Sequence, residues 1–177
     1  YSRENIQWAT RVWWMMRAIG FDRASVLDGG IDKWESEGRP TTRETTFYPA
    51  TSLSSLQPRV GLFCGKEEVL ADLKNDNVCI INALRETLHN GSEDINYGRP
   101  GRIPGSCNVP GVSLLDLETK AYRPLSELKS LFQEAGALDA DKVVIYCGGG
   151  IAASSDAFIL TLLGKEGVVS IYDASMS

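Results

Sequence analysis

Apolar residues recur along the chain in two rhythms, and the change from one to the other marks its elements. Residues 142–146 (Lys-Val-Val-Ile-Tyr) form a short, almost unbroken apolar run, the pattern of a buried strand. Ala157, Phe158, Leu160, Leu162 and Leu163 then follow at helical spacing and stop at Gly164, which predicts a helix over 154–163. Between them lies Cys147-Gly-Gly-Gly-Ile-Ala-Ala153, a tight strand-to-helix loop. Towards the N-terminus, residues 6–19 carry Trp8, Val12, Trp13, Trp14, Met15, Met16 and Ile19, and Gly20 ends the run. That density predicts a helix buried over most of its circumference. A short strand over 24–27, a turn at 28–30 and a helix over 31–37 stopped by Gly38 follow.

Further on, the pattern predicts a strand over 60–63, an amphipathic helix over 66–75 and a strand over 78–81 with a turn at 82–86. A polar loop over 88–101 leads to a turn and short strand over 102–110. Leu125, Leu128, Leu131 and Phe132 place a helix over 124–135, stopped by Gly136, and 168–172 reads as a last strand. Strands alternating with helices predict an α/β fold, a parallel sheet with helices on both faces. Residues 39–58 break the rhythm: they hold Pro40, Pro49 and Pro58 and are rich in Ser and Thr, the composition of a linker.

A weak repeat orders these pieces. At a constant offset of 145, Tyr1-Ser-Arg-Glu-Asn-Ile6 aligns with Tyr146-Cys-Gly-Gly-Gly-Ile151. Trp13 then meets Phe158, Leu27-Asp-Gly-Gly30 meets Tyr172-Asp-Ala-Ser175, and Ile31 meets Met176. The expectation is three parts: 1–38, the closing part of a first, degenerate unit whose front is missing; 39–58, a linker; and 59–177, a complete second unit. Ser2 stands where Cys147 stands, so only the second unit carries the thiol.

The chemistry gathers at that thiol. A loop feeding a helix N-terminus has backbone N–H groups without helical partners and the positive end of the helix dipole. It suits an anion, and a cysteine there is expected to react as its thiolate. The remaining sequence narrows the classes. The 177 residues carry a net charge of −5, which argues against a nucleic-acid surface. No run of 18 apolar residues is present, which argues against a membrane span. The four cysteines are widely spaced, with no CxxC pair, and there is a single histidine, His89, in a polar run that reads as surface loop. This speaks against a disulfide scaffold, a zinc site or a His-dependent triad.

At these residues the chain resembles the tandem-domain rhodaneses, the thiosulfate and 3-mercaptopyruvate sulfurtransferases. The resemblance is carried by Arg11-Val-Trp-Trp-Met, Val26-Leu-Asp-Gly-Gly-Ile-Asp-Lys-Trp34, Ile80-Ile-Asn-Ala83, Gly101-Arg-Ile-Pro-Gly-Ser-Cys-Asn-Val-Pro110, Tyr146-Cys-Gly-Gly-Gly-Ile-Ala152 and Ile171-Tyr-Asp-Ala-Ser175. It implies a rhodanese-like fold with an inactive first copy and an active second one. It also implies a catalytic Cys147 that forms a persulfide, cradled by Gly148, Gly149, Gly150, Ile151, Ala152 and Ala153. The implied partners are a small anionic sulfur donor and a thiol or cyanide acceptor, with no metal or other cofactor, in the cytoplasm where a thiol stays reduced. Members that prefer thiosulfate tend to carry Arg and Lys after the cysteine, where this chain has Gly148 and Gly149. Members that prefer mercaptopyruvate tend to read Cys-Gly-Ser-Gly-Val-Thr, and here Gly149 and Ala152 replace the two hydroxyl residues. The family's Asp-x-Arg is Asn82-Ala-Leu84, and a further expected arginine is Leu88. Donor-binding charge is therefore expected from Arg85, Arg99 or Arg102.

Three other readings compete. Gly148-x-Gly-x-x-Ala153 after a strand, with Asp173 ending the next one, imitates a dinucleotide site, but only four residues follow Asp173. A cysteine phosphatase needs Cys-x5-Arg, and the arginine position is Ala153. A non-catalytic rhodanese-like module for binding or sulfur relay fits the missing arginines but not the retained Cys147.

Overall fold

The computed structural model describes residues 1–52, 56–94, 97–98 and 100–176. Five short strands lie parallel in one sheet: β1 (Phe63–Cys64), β2 (Val78–Asn82), β3 (Cys107–Asn108), β4 (Lys142–Tyr146) and β5 (Val169–Tyr172), in the order β1-β5-β4-β2-β3. The helices are α1 (Gln7–Ala18), α2 (Gly30–Ser36), α3 (Lys66–Asp72), α4 (Glu86–His89), α5 (Leu125–Glu134) and α6 (Ile151–Leu162), with a 3-10 turn at Gly111–Leu114.

Alternation along the central strands sorts the core into two layers. Cys79, Ile81, Val143, Ile145, Val169 and Ile171 face α5 and α6, meeting Leu128, Phe132, Ala153, Ala157 and Leu160. Ile80, Val144 and Tyr146 face the other side, where Val69 of α3 covers them. The expected parallel sheet with helices on both faces is therefore present.

The first layer is deeper because α1 packs over α6. Trp13 meets Phe158 edge to face at 4.9 Å, and Thr10 Oγ1 and Ser154 Oγ approach to 3.3 Å. Trp14 is buried and donates its indole N–H to the Leu62 carbonyl at 3.1 Å. Helix α6 is thus enclosed by the sheet on one side and by α1 on the other. This explains why Ser154, Ser155 and Asp156 sit in its fully buried stretch.

Several boundaries differ from the sequence reading. Residues 24–27 form no strand; among the described residues no strand pairs with them, and the segment instead offers the Ala24 carbonyl to Trp13 Nε1 at 3.1 Å. The strand expected over 60–63 starts only at Phe63, with Val60 fully in solvent. Leu88 and His89 belong to the short helix α4 rather than a loop. Leu88 is buried, and His89 is half-buried, its pKa lowered by that burial. Helix α6 begins three residues early, at Ile151, so Ile151, Ala152 and Ala153 are its first turn. Residues 39–52 run as exposed chain without helix or strand.

Candidate active site

The site is built where β4 ends and α6 begins, at the carboxyl edge of the sheet, where open α/β sheets bind ligands. Tyr146 ends β4, and its hydroxyl accepts from Ile103 N at 2.9 Å and meets Ser106 Oγ at 2.8 Å. The strand end is thereby tied to the loop before β3. Cys147 follows, 2% exposed. Its backbone is held on both sides by the turn after β5: Cys147 N donates to Ser175 Oγ at 3.1 Å, and Met176 N donates to the Cys147 carbonyl at 3.1 Å. Ser175 takes a left-handed conformation (φ 51°) to reach this position, and its hydroxyl also donates to the Tyr172 carbonyl at 2.9 Å.

The sulfur is held from the opposite side. Gly150 N donates to Cys147 Sγ at 3.1 Å. Gly150 is the N-cap of α6, with φ 78°, a conformation glycine adopts without steric cost. The first-turn N–H groups of Ile151, Ala152 and Ala153 lack helical partners by construction. The thiol therefore stands in a cup of backbone donors at the positive end of a twelve-residue helix. Cys147 belongs to the buried core cluster that also holds Ala83 and Val109, and Leu84 packs against that cluster.

Of the arginines expected to bind the donor, Arg85 is committed elsewhere. It forms a two-pronged ion pair with Glu93, which also accepts from Thr87 Oγ1 at 2.7 Å. These bonds, from Arg85 first, hold the Glu93 carboxyl down to about 2. Arg102 donates to the His89 carbonyl at 3.4 Å. Arg99 lies outside the described residues. Among the described residues, no hydrogen bond joins Arg85 or Arg102 to the cysteine loop.

The cation that does reach the loop comes from α1. Arg11 Nη1 donates to Asp173 Oδ1 at 2.6 Å and approaches the Gly150 carbonyl at 3.5 Å, while its guanidinium lies over the Phe63 ring. Sequence reasoning used Arg11 as a mark of resemblance and met Asp173 only as a decoy ribose acid. The repeat offset carried the available signal, since it places Asp173 at the same step of its unit as Asp28. Tyr97 was also missed. Its ring lies against Gly148, where any Cβ would overlap it. Tyr97, Ser175 and Met176 line a cavity of about 420 Å³ together with Lys66, Leu70 and Ile103.

A family-wide profile described as the Rhodanese-like domain matches residues 66–177, which hold the whole cysteine cup. The chain belongs to the rhodanese family. Its curated relatives include a putative thiosulfate sulfurtransferase of Mycobacterium leprae, 30% identical over 99% of this chain and 65% of that protein. They also include the 3-mercaptopyruvate sulfurtransferase of Rattus norvegicus, 32% identical over 98% of this chain and 58% of that protein. The chain spans about two thirds or less of the length of the curated relatives it matches. Among solved structures, the 3-mercaptopyruvate sulfotransferase SseA of Escherichia coli superposes with a TM-score of 0.80 at 24% identity, over all of this chain and 65% of SseA. The anaerobic ergothioneine biosynthesis enzyme of Chlorobium limicola superposes at 0.80 and 20% identity, over 96% of this chain and 42% of its own. Both likenesses bear on the rhodanese fold alone.

Proposed function

We propose that this rhodanese moves a sulfane sulfur through a persulfide on Cys147. The observation that carries the reading is the Gly150 N–H donated to Cys147 Sγ at the N-terminus of α6. Such a cup stabilises negative charge on sulfur, both on the attacking thiolate and on the persulfide that replaces it. In the first half-reaction the thiolate attacks the outer sulfur of thiosulfate. A new S–S bond forms, the old one breaks, and sulfite leaves with the electron pair. With 3-mercaptopyruvate the C–S bond breaks instead and the carbon fragment is protonated to pyruvate. In the second, cyanide or a thiolate attacks the terminal sulfur, carries it away and returns Cys147 as thiolate, giving ping-pong kinetics. The backbone donors Gly148 to Ala153 are the cradle of this reading. Arg85, Arg99 and Arg102 remain its candidates for guiding the anionic donor. The route needs a reduced thiol, which suits a cytoplasmic setting.

The same reading makes 59–177 the catalytic unit, 39–58 a linker, and 1–38 the closing part of a unit without a thiol. Pairs of bonds at the repeat offset support it. Ile31 N donates to the Ser2 carbonyl at 3.0 Å as Met176 N does to Cys147, and Gly30 N donates to the Leu27 carbonyl at 2.9 Å as Ser175 N does to Tyr172 at 3.1 Å. Gly30 and Ser175 share the left-handed conformation, at φ 63° and 51°.

The test is to treat the protein with thiosulfate, and separately with 3-mercaptopyruvate, and to weigh it before and after cyanide. The expected result is a gain of one sulfur atom on Cys147, reversed by cyanide and absent in Cys147→Ser. A folded protein that gains no sulfur from either donor overturns the proposal and leaves a binding or relay module.

A further inference from the structure

We infer that Arg11, reaching across from α1, is a positioning residue of the cysteine site whose task is to neutralise Asp173 beside the anion-holding loop. This rests on the sulfurtransferase reading for its purpose, but not for its geometry.

The N-terminus of α6 holds a negative sulfur only if nothing negative stands close by. Asp173 does stand close: a Cβ on Gly150 would lie 2.6 Å from Asp173 Oδ1 and 2.9 Å from Arg11 Nη1. Left alone, a carboxylate there would compete for the helix dipole and oppose a charge on Cys147, two unfavourable effects of one group. Arg11 removes both. Its Nη1 is 2.6 Å from Asp173 Oδ1, and its side chain is only 19% exposed against 49% for Asp173, so the guanidinium is the more enclosed member of the pair. The same nitrogen lies 3.5 Å from the Gly150 carbonyl, so the residue whose N–H holds the sulfur is braced by the cation that cancels the carboxylate. Packing of the guanidinium over Phe63 fixes where it stands.

Among the described residues, the charged and titratable groups around Cys147 come from several elements, and Lys66 of α3 and Tyr172 of β5 line the cavity that Tyr97 and Ser175 also line. Arg11 comes from α1 and Asp173 from the end of β5. Tyr97 comes from the loop before β3, against Gly148. Arg85 is already paired with Glu93. The Tyr146 hydroxyl is engaged with Ile103 and Ser106. Within this set Asp173 is the carboxylate at the loop and Arg11 is its partner.

The arrangement separates two roles. If Arg11 only fastens α1 to the loop, removing Asp173 as well cannot help. If it neutralises Asp173, removing the carboxylate repairs the loss of the arginine.

The experiment measures alkylation of Cys147 by iodoacetamide against pH, read by peptide mass spectrometry in the wild type, Arg11→Gln, Arg11→Lys, Asp173→Asn and the Arg11→Gln/Asp173→Asn double variant. This readout needs no sulfur donor, so it stands apart from the persulfide test: a protein that forms no persulfide can still show the Arg11 effect. In Arg11→Gln the half-maximal pH is expected to rise by about half a unit or more, a size typical of one half-exposed unit charge. In Arg11→Lys and in the double variant it is expected to return to near the wild-type value. If Arg11→Gln fails to fold, Asp173→Asn decides, and its half-maximal pH is expected at or below that of the wild type. An unchanged midpoint in a folded Arg11→Gln, a double variant as impaired as the single, or a raised midpoint in Asp173→Asn overturns the inference.

Discussion

Replacing Asp156 by Asn is expected to stabilise this protein, and to do so more as pH rises. Asp156 sits in the middle of α6, fully buried between the sheet and α1. Among the described residues, neither carboxyl oxygen has a hydrogen-bond partner, and Gln7 Nε2 nearby has none either. Both groups border the 3-10 turn, where a Cβ on Gly111 would meet Gln7 Nε2 at 2.8 Å and Asp156 Oδ1 at 3.4 Å. Burial pushes the Asp156 carboxyl well above its ordinary range. Tyr122 and Asp28, the other titratable groups nearby, do not offset this. Tyr122 stays a neutral phenol, itself raised by burial with its hydroxyl meeting Ser155 Oγ at 2.7 Å, and Asp28 is a second acid.

The sign follows from proton linkage. The unfolded chain releases the Asp156 proton from about pH 4 upward, while the folded chain keeps it. Stability is therefore fully present below that pH and falls as pH rises, by up to about 1.4 kcal/mol per unit, until the folded carboxyl ionises too. Asn has the same shape and no proton to lose. At pH 4.5 the two proteins should melt within about 1 °C of each other. At pH 7.5 the variant should gain on the order of 1–3 kcal/mol, since each pH unit over which only the unfolded chain is ionised costs the wild type about 1.4 kcal/mol. For a chain of this size that is about 3–10 °C in Tm. Thermal melts followed by circular dichroism at pH 4.5, 6.0 and 7.5 measure it. A gap that is the same at all three, or a wild type more stable than the variant at pH 7.5, refutes the reasoning.

Two further substitutions probe the loop itself. Gly150→Ala places a Cβ on a left-handed residue and against both Asp173 Oδ1 and Arg11 Nη1. It should cost about 1–3 kcal/mol in urea unfolding and at least tenfold in the rate of persulfide formation; unchanged kinetics would show that the left-handed geometry at Gly150 does not set the reactivity of the sulfur. Gly148→Ala has the opposite profile: its Cβ would strike the tip of the Tyr97 side chain, which is 43% exposed and free to swing outward. Stability should change by less than about 1 kcal/mol while iodoacetamide reaches Cys147 faster, and a slower reaction would mean that Tyr97 does not shield the thiol.

The fold was legible because its strongest signals are local. The apolar run at 142–146, the glycine loop and the following helix form one continuous segment, and the structure keeps it as β4, loop and α6. Residues 24–27 show the limit of that logic: a strand needs a neighbour, and an apolar run cannot report whether one is present. The start of α6 was read three residues late because Ile151, Ala152 and Ala153 look like loop when the glycines before them are weighed by composition. In the structure they belong to the helix, with Gly150 as its cap.

The site was legible only along the chain. Cys147 and its cradle are contiguous, so sequence alone could assemble them. Arg11 lies 162 positions from Asp173 and meets it only because α1 packs across α6, a contact that depends on how two helices cross. The resemblance, with leucine at both expected arginine positions, pointed instead to Arg85, Arg99 and Arg102; the structure engages Arg85 with Glu93 and Arg102 with the His89 carbonyl, and Arg99 lies outside the described residues. Two acids show the same dependence on packing. Asp173 and Asp156 both stand close to the cysteine helix, one at its N-terminus and one in its buried middle. Arg11 answers the first, and nothing in the described residues answers the second. A carboxylate that stands beside the loop is paired, and one that stands away from it is left unpaired.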